Sequence, residues 1–166
     1  KENVYFDLTF ENIVQPGWHP EYGFQLTYAA IGIHTGEETG SLSFGQNAQY
    51  AVSDNAGPMQ FMLYIGGGYR LVSSSGETIV EYRPGKPGFP MADLTKKHIH
   101  IAVPRKYLPQ PKKWWKYTIL AGGQDDHGGA GLGEFRAVKQ TAGPWHGGGK
   151  TDSNAPNWYD ILTVGY

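Results

Sequence analysis

The 166-residue sequence contains no cysteine. Disulfides, thiolate zinc sites, c-type haem attachment and cysteine nucleophiles are therefore excluded. Charge is sparse as well: charged residues make up 17%, and 14 Lys and Arg against 15 Asp and Glu leave a formal net charge of −1. A nucleic-acid partner is not expected, because phosphate neutralisation needs a basic surplus. No stretch approaches the ~20 apolar residues of a membrane-spanning helix. No segment holds a helical period beyond about two turns. There is no G-x-S-x-G, no P-loop and no G-x-G-x-x-G between a strand and a helix. The adjacent carboxylates Asp125 and Asp126 would point to opposite faces of a strand, which is poor geometry for acid–base catalysis. The expected role is therefore non-catalytic. The chain starts at Lys1 without an initiator Met or a signal peptide, so it reads as a mature or excised part of a longer precursor.

Turn formers and aromatics are abundant instead: 24 Gly, 11 Pro and 14% aromatic residues. Many short strands joined by turns follow from that balance. Val4–Phe10 alternates cleanly, with Val4, Phe6, Leu8 and Phe10 on one face. Phe24–His34 reads as a second strand whose alternation slips near Ala29–Ala30, which predicts a bulge or burial on both faces. Further strands are expected at Gln49–Ser53, Gln60–Ile65, Tyr69–Ser73, Thr78–Tyr82, Ile99–Val103, Tyr117–Ala121 and Asp160–Val164, with a helical turn at Asp93–Lys97. Residues 105–126 read as a basic, aromatic hairpin, Gly122–Gly133 as a long loop, and Arg83–Pro90, with its three prolines, as no central strand. The expectation is one all-β domain over residues 1–166, an antiparallel β-sandwich of immunoglobulin or jelly-roll type with roughly eight to ten strands.

Four groups of residues suggest chemistry. Trp18, Tyr22, Trp145 and Trp158 stand beside Gly, Pro, His or Asn rather than inside apolar runs. Sugar rings offer apolar C–H faces on which indoles stack, while amides and carboxylates bond the hydroxyls. Trp18 and Trp145, with Gln124, Asp125 and Asn154, form the candidate carbohydrate site; the alternative is that these Trp cap the core, the favoured reading for Trp158. Asp152, Asn154, Asn157 and Asp160 form an oxygen-rich stretch of a kind that suits Ca²⁺, or else turns bonding their own backbone. His98 and His100 would share a strand face about 7 Å apart, able to hold a transition metal if a third ligand arrives. Met59, Met62 and Met91 with either histidine would offer Met/His ligation of haem b, against ordinary core packing. At Trp114–Trp115, one ring is expected in the core and the other under the stems of Lys112, Lys113 and Lys116.

The ordered set GFQLTYAAIGIHTG (23–36), KKHIHIAVPRKYL (96–108), YTILAGGQDDHG (117–128) and GPWHGGGKTDSNAPNWYDILT (143–163) resembles the C-terminal module of glucodextranases and archaeal amylopullulanases. That module lies in the wider DOMON-like group, similar to family-9 carbohydrate modules. The resemblance implies an extracellular or cell-surface, non-catalytic module that binds polysaccharide or the cell envelope, and an archaeal, thermophilic source fits it. Relatives in the wider group hold glucose-like units between aromatic rings, or bind haem b. Two departures from the family are expected from the sequence: it reads as lacking the strand that usually precedes the position of Val4, and as standing apart from a catalytic domain. A sandwich lacking an edge strand exposes unpaired backbone groups and an apolar groove. A second expectation is therefore a structural subunit of a surface assembly or filament, self-associating by strand addition.

Overall fold

The computed structural model describes residues 2–53, 55–83, 91–129 and 131–165. Ten strands run in chain order: β1 Asn3–Thr9, β2 Thr27–His34, β3 Phe61–Gly66, β4 Gly68–Ser73, β5 Thr78–Tyr82, β6 Ala92–Asp93, β7 His98–Pro104, β8 Lys116–Asp125, β9 Glu134–Phe135 and β10 Asp160–Val164. All pairings between them are antiparallel. They form a three-stranded sheet, β1-β7-β6, and a seven-stranded sheet, β10-β8-β2-β3-β4-β5, with β9 paired to the end of β8. The expected all-β antiparallel sandwich is what the chain adopts, with no α-helix among the described residues.

One core lies between the sheets. Val4 of β1 and Ile99, Ile101 and Val103 of β7 meet Ala29, Ile31 and Ile33 of β2, Leu63 and Ile65 of β3, and Leu71 of β4. A second core lies on the opposite face of the large sheet. There Tyr28, Ala30, Met62, Tyr64, Val72 and Leu120 are covered by Phe44, Ala48, Val52 and Met59 from the 39–60 segment, and by Leu132 and Phe135. This two-sided burial explains the slip in β2: Tyr28 to His34 are all buried, and β2 keeps unbroken register with β8 from Thr27 to His34. Burial on both faces is the correct alternative, and no bulge interrupts β2. The strand begins only at Thr27, because Leu26 has a left-handed backbone (φ 61°).

Several expectations are corrected. Residues 105–126 are not a hairpin: β7 pairs with β1 and β6, and β8 pairs with β2, β9 and β10. The segment crosses from one sheet to the other, carrying buried Leu108 and Trp115 into the inter-sheet core. Gln49–Ser53 makes only an isolated bridge, Ser43 with Ala51, because this stretch serves as a lid over the second core. Asp93–Lys97 is a turn stapled by the Lys96 N–H to the Asp93 carboxylate (3.0 Å), not a helical turn. β8 runs on through Gly122 and Gly123 to Asp125, where a loop was expected. Most of Arg83–Pro90 lies outside the described residues. Trp115 is buried and Trp114 is exposed, its indole N–H donating to Thr35 O at 3.1 Å.

The two faces of β2 leave no space at Gly32. An added Cβ would strike Met59 Sδ and sit 2.8 Å from Phe44 Cζ. Gly32→Ala should lower stability by about 1–3 kcal/mol through overpacking, measured as a lower urea midpoint at unchanged m-value.

Candidate functional site

The far end of β8 and the loop segments around 18–26, 126–128 and 136–145 wall a cleft of about 740 Å³. Trp18, Trp145, Gln124 and Asp125 all line it. These are four of the five residues expected from the sequence to meet a sugar. Both indoles are open to solvent, Trp18 at 66% and Trp145 at 80% relative exposure.

Each Trp is presented by a braced loop. Pro16 and Gly17 (φ 97°) set the turn before Trp18. Gln15 Oε1 accepts the Gly17 N–H at 2.8 Å, and Gln15 Nε2 donates to His19 O at 3.1 Å. The buried Gln25 accepts the His19 N–H through Oε1 at 2.9 Å. A single 3-10 turn, Pro20–Tyr22, then buries Tyr22, and His19 stacks on that ring at 5.1 Å. Tyr22 is thus a foundation of the loop, not an exposed platform. Trp145 sits at the tip of a tight reversal, where Gly143 N–H donates to His146 O at 3.1 Å and Gly143 bridges His146. Proline at the first turn position favours that geometry.

The polar groups come from β8 and the loop after it. Gln124 is nearly buried, and its Nε2 donates to Leu132 O at 3.0 Å. Asp125 Oδ1 accepts the His127 N–H at 2.9 Å, and Asp126 Oδ1 accepts the Gly128 N–H at 2.9 Å. His127 also faces Glu134, Nε2 to Oε1 at 3.3 Å. Arg136 was not anticipated. It lines the cleft and braces the Trp145 turn by donating from Nη2 to Pro144 O at 3.2 Å, while its Nε is buried without a partner. Its stem passes over Gly123, whose missing side chain leaves the room. A Gly-Gly pair inside a strand was the signal that something approaches closely there. Asn154 does not line this cleft; its N–H is tied to Asp152 Oδ1 at 2.7 Å.

The oxygen-rich set separates. Asp152 and Asn157 line another cleft, and Asp160, on β10, lines a groove beside β1. Asp160 Oδ1 accepts the neighbouring Ile161 N–H at 2.9 Å. Asn157 is buried, its Oδ1 accepting the Val138 N–H and its Nδ2 donating to Asn47 O, both at 2.9 Å. The possible haem ligands also separate: Met59 and Met62 lie in the second core and Met91 in the first, while His98 and His100 ion-pair with Asp7 across β1 and β7. Trp158 packs against the second core, edge-on to Tyr50 at 5.4 Å. Among the described residues no group of three or more His, Asp or Glu is arranged to hold a metal ion.

Over residues 1–165 the chain matches the family described as the C-terminal binding module, SLH-like, of glucodextranase. The chain belongs to this family. A search of curated proteins finds no match. The family is one of binding modules, so the cleft of this module is a binding site candidate. Among the described residues no helix is long and apolar enough to cross a membrane.

Asp7 fastens β1 to the histidine pair of β7. His100 Nδ1 lies 2.6 Å and His98 Nε2 3.1 Å from Asp7 Oδ1. The hydrogen bond from His100 holds the Asp7 carboxyl below its ordinary value. A lowered carboxylate pKa stabilises the fold above the unfolded value and loses that contribution as pH falls through the folded one. Asp7→Asn should therefore lower stability near neutral pH, and its difference from the wild type should close only as pH falls below the ordinary carboxylate range. Urea melts across that range check it.

Proposed function

We propose that the module binds carbohydrate at the cell surface without catalysis, using the Trp18–Trp145 cleft. The observation that supports this reading is that one concavity contains two exposed, braced indoles beside amide and carboxylate groups. Large exposed indoles are normally covered or used. Here they furnish apolar stacking faces, and Asp125 and Gln124 furnish polar partners for hydroxyls. Braced loops lower the ordering cost of binding. With two carboxylates against one guanidinium in the lining, a neutral, hydroxyl-rich glycan fits better than an acidic one.

Covering one large apolar side chain contributes about 1.5–3 kcal/mol. Trp145→Ala should therefore weaken retention on dextran, pullulan or starch by about tenfold or more. The thermal midpoint should move by less than about 2 °C, because the side chain is exposed. Affinity electrophoresis and a thermal melt give both readouts. Unchanged retention would remove the cleft from the reading, and a collapsed midpoint would return Trp145 to a structural role.

A second reading is that of a subunit joined to copies of itself by strand addition. β1 and β10 are edge strands of the two sheets, and a groove of about 390 Å³ runs between them. Leu8 and Phe10 line it from one side, and Ile161, Leu162 and Val164 from the other. Ile161, Leu162 and Val164 are all exposed, an apolar edge of the kind that invites another strand. On this reading Leu162→Glu shifts sedimentation toward monomer, and a wild type that stays monomeric at every concentration contradicts it.

A further inference from the structure

The 136–150 segment serves two clefts. It gives Arg136, Pro144 and Trp145 to the first, and Lys139, Gln140 and Lys150 to a second of about 470 Å³. The described residues lining the second cleft include no aromatic side chain. Stacking is therefore unavailable, and recognition there must be polar. Its charges also run the other way, two ammonium groups against the single carboxylate of Asp152.

The two lysines are held side by side. Lys150 N–H donates to Lys139 O at 3.0 Å, so the pair occupies neighbouring, bonded segments. Like charges so placed repel each other. Lys150 Nζ donates to Gln49 Oε1 at 2.9 Å. Among the described residues the Lys139 ammonium has no hydrogen-bond or ion-pair partner. Asp152 has its Oδ1 turned onto the Asn154 N–H.

The facing wall is strained and braced. Gln46, Asn47 and Gln49 all have left-handed backbones, φ 54°, 60° and 53°. Non-glycine residues are uncommon in that region, and such strain clusters at functional sites. Asn157 holds the wall in place: it donates from Nδ2 to Asn47 O and from its N–H to Ala48 O, and accepts the Val138 N–H. The lysines and the amides of Asn47 and Gln49 thus border a preformed space.

We propose that this second cleft binds an oxyanion-bearing sugar unit, with Lys139 and Lys150 as the charge partners. The assignment is independent of the Trp cleft, and either can fail alone. Isothermal titration with trigalacturonate, its methyl ester and a sulfated galactose trisaccharide tests it. Trigalacturonate or the sulfated sugar binds, and which one does names the oxyanion. The ester does not bind to the Trp145→Ala variant, in which the stacking cleft is disabled. Lys139→Gln and Lys150→Gln each weaken binding about tenfold, the scale of one charge-assisted hydrogen bond. Lys139→Arg keeps most of the affinity, and Trp145→Ala leaves it unchanged. Added salt weakens it. The proposal is overturned if neither acidic sugar binds, if ester and acid bind the Trp145→Ala variant alike, if the double lysine variant retains full affinity with its melt unaltered, or if Trp145→Ala abolishes binding of the acidic sugar.

Discussion

The large sheet is buried on both faces, and most of the structure follows from that constraint. A sandwich needs one apolar face per sheet. Here β2 and β3 present a second, to which Tyr28, Met62 and Tyr64 contribute. The second face has no third sheet to cover it. Loops cover it instead, chiefly the 39–60 segment and the stretch around Leu132 and Phe135. Glycine enables this close approach: Gly32 admits Met59 and Phe44, and Gly66 admits the Leu132 carbonyl. Loops committed to a core in this way are anchored along their length and can hold side chains at fixed positions.

Both clefts are consequences of that anchoring. Phe135 of β9 is fully buried, so the segment that follows it leaves the core at a fixed point. Phe135 N–H donates to Gln46 O and Arg136 N–H to Gly123 O, joining the lid, β9 and β8. Asn157 adds bonds to Asn47, Ala48 and Val138. A binding surface on loops is usually weakened by the cost of ordering them. Here hydrophobic cover over the second core has already met that cost. The loops that bear Trp145, Lys139 and Lys150 branch from this bonded frame, and the Trp18 loop has its own brace in Gln15, Tyr22 and Gln25.

The sequence makes legible what depends on local pattern. β1 and β7 alternate because only one of their faces is buried, and β5 is bounded by clear turn signals. β2 blurs because two-sided burial erases the alternation. The apparent hairpin at 105–126 fails for a related reason: two apolar runs close in sequence suggest pairing, but strand partners are chosen by the whole sheet. Trp18 and Trp145 are legible as loop aromatics because Pro and Gly beside them forbid a core strand. Asn157 misleads, since an Asn between Pro156 and Trp158 looks like an exposed oxygen donor until its partners Asn47 and Val138, distant in sequence, are known. Arg136 and the lysine cleft are illegible for the same reason, because the doubling-back of 136–150 is set by tertiary bonds such as Lys150 to Lys139.

The two clefts and the open edge occupy different parts of the molecule. The clefts use residues 18–26, 47–49, 124–128 and 136–157, whereas the β1–β10 groove uses 7–11 and 160–164 with the strands beneath. A strand added at the groove would cover none of the cleft lining. Sugar retention and lateral joining are therefore compatible in one molecule, and they reinforce each other physically. A shallow, solvent-open sugar cleft is weak alone, but copies joined edge to edge would present many clefts to one polymer, and effective concentration then raises avidity by about 10²–10⁴ without any new contact. The Asp7–His98–His100 fastening lies where β1 meets β7, and β1 with the residues after it forms one wall of the groove. Acid that protonates Asp7 would loosen that wall and leave the Trp18 and Trp145 braces, which contain no contact to Asp7, as they are.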